Sequence, residues 1–212
     1  TNQGESGVYK LNKAENKFEP FGLLYNAGNH HSQALAMLED SEQTLWLGTW
    51  ECGLQKIDKY TRQTTTYLHP TDGKGVTHIH SLMEYAPHQL LIGSDDGLLL
   101  FNTLTEEYKL FTENVPNSLS NRFVYPIIKD REGGIWIGTY YGGINYISPN
   151  AEQFESFSHS RLYNSINGNV IGRFCEDAHG QIWIASDDGG LNRYSPKDRK
   201  FVYYLPADHK NS

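Results

Sequence analysis

The sequence predicts an all-β fold, a partial β-propeller built from four-stranded antiparallel blades. Three observations lead there. One segment recurs four times, as Leu45-Trp46-Leu47-Gly48-Thr49, Leu90-Leu91-Ile92-Gly93-Ser94, Ile135-Trp136-Ile137-Gly138-Thr139 and Ile182-Trp183-Ile184-Ala185-Ser186. Trp46, Leu91, Trp136 and Trp183 follow one another at intervals of 45, 45 and 47 residues, a period that suits propeller blades. No stretch sustains a 3.6-residue apolar period, so little or no helix is expected.

Each unit reads as strands A to D. Ala34–Asp40, Tyr125–Asp130 and Ile171–Asp177 supply strand A, and each ends on an aspartate six residues before a tryptophan. Turns such as Arg131-Glu132-Gly133-Gly134 and Ala178-His179-Gly180-Gln181 follow, rich in residues that tolerate positive φ. The tryptophan segment is strand B. Its lack of alternation fits a strand buried on both faces, so Trp46, Trp136 and Trp183 read as packing between blades, and Gly48, Gly93 and Gly138 as structural. Strand C is Gly53–Asp58, Gly97–Asn102, Gly143–Ser148 and Gly190–Ser195. Strand D is Thr65–Leu68, Tyr108–Phe111, Phe154–Phe157 and Phe201–Tyr204. Pro126 places strand A at a blade edge, where a missing N–H costs least.

The first unit is a half. Gly7–Asn12 matches strand C and Phe18–Phe21 strand D. The expected organisation is one propeller segment: a truncated blade over 1–28, full blades over 29–71, 72–116, 117–163 and 164–210, and the start of another unit at 211–212. Such a segment is not expected to close a ring alone. It reads as a piece of a longer protein or as one member of an assembly whose copies complete each other.

The net charge of −7, with no basic stripe, argues against contact with nucleic acid. No apolar run approaches the ~20 residues of a membrane-spanning helix. Cys52 and Cys175 stand at different positions of their repeats and fit neither a disulfide framework nor a zinc spacing, so both are expected to be unpaired. No metal or other cofactor is expected.

In such a meander the A–B and C–D turns share one end, and the B–C loops and D-to-A crossovers share the other. The A–B turns resemble one another. The B–C loops differ: Trp50-Glu51-Cys52, Asp95-Asp96, Tyr140-Tyr141 and Asp187-Asp188. So do the crossovers: His30-His31, Thr77-His78, Asn121-Arg122 and Gly168-Asn169. Variable loops on a rigid scaffold are where binding residues concentrate. The candidate ligand residues are therefore Trp50, Glu51, His78, Asp95, Asp96, Arg122, Tyr140, Tyr141, Asn169, Asp187 and Asp188. Aromatic rings with carboxylates, amides and an arginine suit a carbohydrate. The aspartate pairs also read as plain turn residues, which is the stronger reading for them. Adjacent aspartates point apart, which disfavours glycosidase chemistry. Solvated or channel-lining histidines outweigh a metal site built from His78, His80 and His30-His31.

Segments 136–149 and 183–196, Trp-Ile-Gly-Thr-Tyr-Tyr-Gly-Gly-Ile-Asn-Tyr-Ile-Ser-Pro and Trp-Ile-Ala-Ser-Asp-Asp-Gly-Gly-Leu-Asn-Arg-Tyr-Ser-Pro, resemble the two-component regulator propeller repeat. The Asn-Ser-Leu-Ser loop and the Glu-Asp before the A–B turn match as well. Leu91 in the second unit and Ala185 in the fourth depart from the pattern. The resemblance implies the periplasmic sensor region of a Bacteroides-type hybrid two-component system, anchored in the inner membrane through its parent protein. It further implies a parent histidine kinase, control of glycan-use genes, an oligosaccharide ligand, neighbouring blades and domains as partners, and possible homodimers. The other readings are a protein-interaction or architectural propeller and, least supported, a polysaccharide lyase or hydrolase.

Overall fold

The computed structural model describes residues 7–23, 33–69, 75–113, 118–149, 154–161 and 164–205. All regular structure among them is strand. The half unit holds β1 (Gly7–Asn12) and β2 (Lys17–Leu23). The first full sheet holds β3 (Ala34–Glu39), β4 (Leu45–Thr49), β5 (Leu54–Ile57) and β6 (Thr64–Tyr67). The second holds β7 (Ile79–Ala86), β8 (Gln89–Ser94), β9 (Gly97–Asn102) and β10 (Tyr108–Phe111). The third holds β11 (Val124–Lys129), β12 (Ile135–Thr139), β13 (Gly143–Ile147) and β14 (Phe154–Phe157). The fourth holds β15 (Ile171–Glu176), β16 (Ile182–Ser186), β17 (Gly190–Ser195) and β18 (Lys200–Tyr204).

Each four-stranded sheet is a meander in chain order, and β1 pairs only with β2. The fold is an all-β propeller segment of four full blades and a half blade. The chain forms two compact units, one of residues 1–95 with 99–109, the other of 96–98 with 110–212. The entry loop of a further unit at 211–212 and His30-His31 lie outside the described residues.

The interval of six between aspartate and tryptophan has a physical cause. A buried indole N–H must find an acceptor. Oδ2 of Asp40 accepts from Trp46 Nε1 at 2.8 Å, that of Asp130 from Trp136 at 2.8 Å and that of Asp177 from Trp183 at 2.9 Å. The other oxygen of each carboxylate accepts the backbone N–H that closes the same turn, from Thr44, Gly134 and Gln181. The second blade lacks this device as a set. Ala86 pairs directly with Gln89 across a Pro87-His88 turn, leaving no place for the aspartate. Leu91, which needs no acceptor, stands where tryptophan stands elsewhere and is 3% exposed.

Strand B is buried along most of its length in the first three blades, Gly93 included. In the first unit, Trp46, Leu54, Ile79, Leu90, Ile92 and Phe101 build one core. In the second, Trp136, Ile144, Ile171, Ile182, Ile184 and Tyr194 build another. Gly48 and Gly138 are obligatory at these faces. A Cβ at Gly48 would stand 2.4 Å from Ile79 Cγ2, and one at Gly138 would stand 2.6 Å from Ile171 Cγ2. Burial of strand B on both faces does not extend to the fourth blade. There Trp183 is half-buried and Ala185 exposed, because the described residues cover only one face of that sheet. Pro126 lies on the edge strand β11, where the register with β12 shifts between Val124 and Ile127, so its missing N–H interrupts no ladder bond. Cys52 is buried and Cys175 exposed, and both are free thiols.

Replacing Asp130 with alanine leaves the indole N–H of Trp136, a residue 2% exposed, without its acceptor. The expected loss is about 1–3 kcal/mol in urea unfolding. In a Trp136→Phe background the same aspartate substitution should cost clearly less. The hydrogen bond from Trp183, helped by backbone donors of Gln181 and His179 and opposed by desolvation, holds the Asp177 carboxyl below its ordinary 3.8. A depressed folded-state value means this contribution is present above the unfolded pKa and is lost as pH falls through the folded one. Trp183 fluorescence should therefore report loosening of the 177–183 turn only in the acid range below the ordinary carboxylate pKa.

Candidate functional site

The B–C loops and the D-to-A crossovers meet at one end of the sheets, held by backbone hydrogen bonds. In the first unit Trp50 N–H donates to Gln33 O at 2.9 Å, His78 N–H to Trp50 O at 3.3 Å and Asp95 N–H to Thr77 O at 3.4 Å. Thr49 ends β4 with a buried hydroxyl that donates to Gly53 O at 2.7 Å and accepts Cys52 N–H at 2.9 Å, closing the loop that presents Trp50.

On this frame sits a cluster of rings. The indole of Trp50 stacks on the imidazole of His78 with centroids 3.8 Å apart and planes 21° from parallel. His80 meets the indole edge-on at 6.2 Å. One carboxylate fixes both histidines, with His78 Nδ1 at 2.5 Å from Asp95 Oδ2 and His80 Nε2 at 2.8 Å from Asp95 Oδ1. His78 takes a left-handed φ of 48°, which turns its ring onto Trp50 rather than along the strand. Trp50 remains 41% exposed. Glu51 is exposed beside it, and Asp96 completes the turn into β9. Among the described residues no group of three His, Cys, Asp or Glu side chains is arranged to hold a metal ion.

The second unit presents a tyrosine cluster at the corresponding end. Tyr140 stacks on Tyr125 of β11 at 5.5 Å, and Tyr141 meets it edge-on at 4.3 Å. Tyr141 has φ 71° and is 66% exposed. The hydrogen bond with Tyr141 and the nearness of that hydroxyl, then burial, Tyr125 and Asp187, push the Tyr140 hydroxyl above its ordinary 10.0. Tyr140 N–H donates to Phe123 O in the crossover, where the exposed Arg122 lays its guanidinium 4.8 Å over the Phe123 ring.

The aspartate pair at 187–188 divides its labour. Asp188 accepts from Asn169 N, Val170 N and Ser186 Oγ, at 2.9, 3.0 and 2.6 Å, and so ties the crossover to the B–C turn. Burial opposes ionisation of Asp188, but these hydrogen bonds together outweigh it and hold its carboxyl below the ordinary range. Asp187 is exposed in the same turn and faces Tyr140 electrostatically. Asn169 accepts Gly143 N–H through its backbone oxygen and His159 N–H through its side chain.

Sequence reasoning missed the residues that fix the crossovers. Asn145, on β13, accepts Ser120 N–H at 2.9 Å and donates to Ser120 Oγ at 2.9 Å. Asn192, on β17, accepts Asn167 N–H at 2.8 Å and donates to Asn167 O at 3.0 Å. Both are wholly buried. The Gly-Gly-x-Asn spacing shared by the third and fourth units was the available signal. Also missed was a cleft of about 430 Å³ at the opposite, A–B and C–D end of the first unit. Tyr9, Phe21 and Tyr60 line it with Lys10, Lys59 and Arg62, and the Arg62 guanidinium lies 4.5 Å over the Phe21 ring.

Spectrophotometric titration should find Tyr140 ionising above the ordinary range together with Tyr67, Tyr146 and Tyr194, and Tyr141→Phe should return one of the four downward. Asp188→Ala should release the 167–170 crossover, read as faster amide exchange at Asn169 and Val170 with the β16–β17 ladder unchanged. The depressed Asp188 carboxyl predicts the same release in the unsubstituted chain only as pH falls through its folded-state value.

Residues 118–141 and 165–188 match the family model described as two-component regulator propeller. No curated protein matches the chain. Among solved structures, the extracellular domain of a putative hybrid two-component system from B. thetaiotaomicron superposes with a TM-score of 0.73. It is 21% identical over 97% of this chain and 26% of that one. The extracellular domain of a putative one-component system from the same organism gives 0.58, with 24% identity over 94% of this chain and 33% of that one. A virginiamycin B lyase from Staphylococcus aureus gives 0.63, with 13% identity over 87% and 59%. These likenesses establish the fold, and the chain spans a quarter to a third of the two B. thetaiotaomicron chains. By that fold the chain is a propeller segment, and two of its segments are similar to the two-component regulator propeller repeat.

Proposed function

We propose that this segment is a non-catalytic, periplasmic sensor module of a membrane-anchored two-component protein, and that it recognises a neutral oligosaccharide on its B–C loop and crossover end. The observation that carries the reading is one exposed aromatic platform in each unit, Trp50 in the first and Tyr141 on the half-buried Tyr140 in the second, each set on hydrogen-bonded loops rather than packed in a core. A sugar ring offers C–H faces to such rings and hydroxyls to the groups around them. Each platform taken by itself has mostly acidic neighbours, Glu51 and Asp95 around Trp50 in one unit, and Asp187 and Asp188 against Arg122 around Tyr140-Tyr141 in the other, which favours a neutral ligand over a uronic acid or sulfated sugar.

The carboxylates support binding better than catalysis. Asp95 and Asp188 already accept hydrogen bonds from the protein, so they brace loops rather than wait for a substrate proton. Likeness to extracellular domains of two-component systems supports the placement outside the cytoplasm. Kinase and output functions would reside elsewhere in the parent protein. Signalling requires the ligand to prefer one arrangement of this module and its neighbours, because a ligand that binds two states equally shifts neither.

A second reading, a protein-interaction or architectural propeller that binds no small molecule, is favoured by the aromatic and cationic cleft of the first unit, which suits an acidic peptide better than a sugar.

Calorimetry of the complete ectodomain against neutral, uronic and sulfated oligosaccharides separates these readings. Binding of a neutral oligosaccharide is expected, weakened about two- to tenfold by Trp50→Ala or Tyr141→Ala, the factor that ~0.5–1.5 kcal/mol of ring stacking represents. Tight capture of an acidic peptide with no sugar binding would favour the second reading. Turnover of a polysaccharide that Asp187→Asn abolishes would restore the enzyme reading.

A further inference from the structure

A small pocket of about 220 Å³ lies between the third and fourth sheets, within the second unit. Phe157 at the end of β14 and Phe201 in β18 line it, with Tyr194 of β17 and Arg199 of the β17–β18 turn. Pockets for drug-sized ligands span roughly 300–1,000 Å³, so this one suits a molecule no larger than a single small ring.

The matching place in the first unit is built from less polar groups. Tyr67 pairs with Leu54 as Phe157 pairs with Ile144, so Leu68 stands where Ser158 stands. Leu68 packs against the core of its unit. Phe101 and Tyr194 each lie four residues after the glycine that opens their strand. Both rings meet a tryptophan, Phe101 with Trp46 at 6.3 Å and Tyr194 with Trp136 at 5.4 Å. The core therefore needs the ring at this position and not the hydroxyl. Five residues further on, in a turn of left-handed φ in both units, Glu106 stands in the first and Arg199 in the second.

Tyr194 is 3% exposed, and its hydroxyl has no hydrogen-bond partner among the described residues. A buried hydroxyl is normally paired. Burial pushes it above the ordinary 10.0, with the Arg199 guanidinium opposing the rise and the Glu155 carboxylate adding to it. Other polar groups of the pocket are already engaged. Asn164 donates to Phe201 O at 2.9 Å and accepts Phe201 N–H at 2.6 Å. Ser165 accepts Ser160 N–H at 2.7 Å, and Ser156 donates to Asn145 at 3.0 Å. Three donors stay open among the described residues: the Tyr194 hydroxyl, the Ser158 hydroxyl and the Nε and Nη1 of Arg199, whose Nη2 Glu155 holds. Arg199 is also the one charged side chain that lines the pocket.

We infer that this pocket is a binding site for a small organic acid, held by its carboxylate on Arg199, Tyr194 and Ser158 with its carbon skeleton against Phe157 and Phe201. Converging donors with a single guanidinium match a carboxylate. The two phenyl rings favour an apolar skeleton over a bare inorganic anion or a hydroxylated sugar acid. The site shares no residue with the B–C loop and crossover end, so it stands or falls separately from sugar recognition there.

Calorimetric titration of the complete ectodomain with benzoate tests this. Saturable binding is expected, weakened about tenfold when benzamide replaces benzoate and about tenfold again by Arg199→Gln, the factor that a hydrogen bond to a charged group represents. Tyr194→Phe, which copies Phe101, should weaken benzoate severalfold with no loss of Tm. D-glucuronate and inorganic phosphate should each bind more weakly than benzoate. Equal affinity for benzoate and benzamide overturns the inference, as does benzoate binding that both substitutions leave unchanged, or tighter binding of glucuronate or phosphate. Binding of a neutral oligosaccharide should be the same in both variants as in the unsubstituted protein. A parallel loss of sugar and benzoate affinity would trace the effect to unfolding and overturn the assignment.

Discussion

A buried indole N–H demands an acceptor, and the arrangement of each blade follows from how that demand is met. The aspartate six residues upstream serves the tryptophan with one oxygen and the turn backbone with the other. One carboxylate therefore sets the A–B turn and locks strand B to strand A at the same time. Because the ring is then fixed, the next blade can pack on it at close range, and the glycine two residues on must lack a side chain so that an isoleucine can seat. The second blade is the natural control. It loses the long turn, the aspartate and the tryptophan together, and it keeps its burial with Leu91.

That rigidity is what gives the loop end its chemistry. Side chains that would be mobile on an ordinary loop are here tied to strand ends by backbone bonds, by Thr49 and by the buried amides of Asn145 and Asn192. Trp50 is ordered by His78, His78 by Asp95, and Asp95 also by His80. An aromatic surface fixed in advance loses little entropy when a ligand settles on it, which is how a shallow site can bind usefully.

Much of this was legible in the residues. The period placed the strands other than β7, whose blade lacks the aspartate that marks strand A elsewhere, and the alternation of uniform and variable loops marked the end where Trp50 and Tyr140 stand. Other features were not legible, for physical reasons. A carboxylate beside a turn looks the same whether it faces solvent, as Asp187 does, or caps a neighbouring loop, as Asp188 does; only the crossover's position decides. Trp183 carries the same motif as Trp46 and Trp136, yet it is half-buried because burial depends on a neighbour that local sequence does not describe. The cleft lined by Tyr9, Phe21 and Tyr60 joins residues far apart in the chain, so no local pattern announces it.

Recognition at the B–C loop and crossover end of each unit is the central proposal. Hydrogen–deuterium exchange of the complete ectodomain, with and without a neutral oligosaccharide that it binds, tests this most directly. Protection concentrated at residues 50–52, 77–80, 140–141 and 187–188 is the predicted result. Protection confined to the turn residues 59–62 at the opposite end, or to no part of this segment, would contradict it.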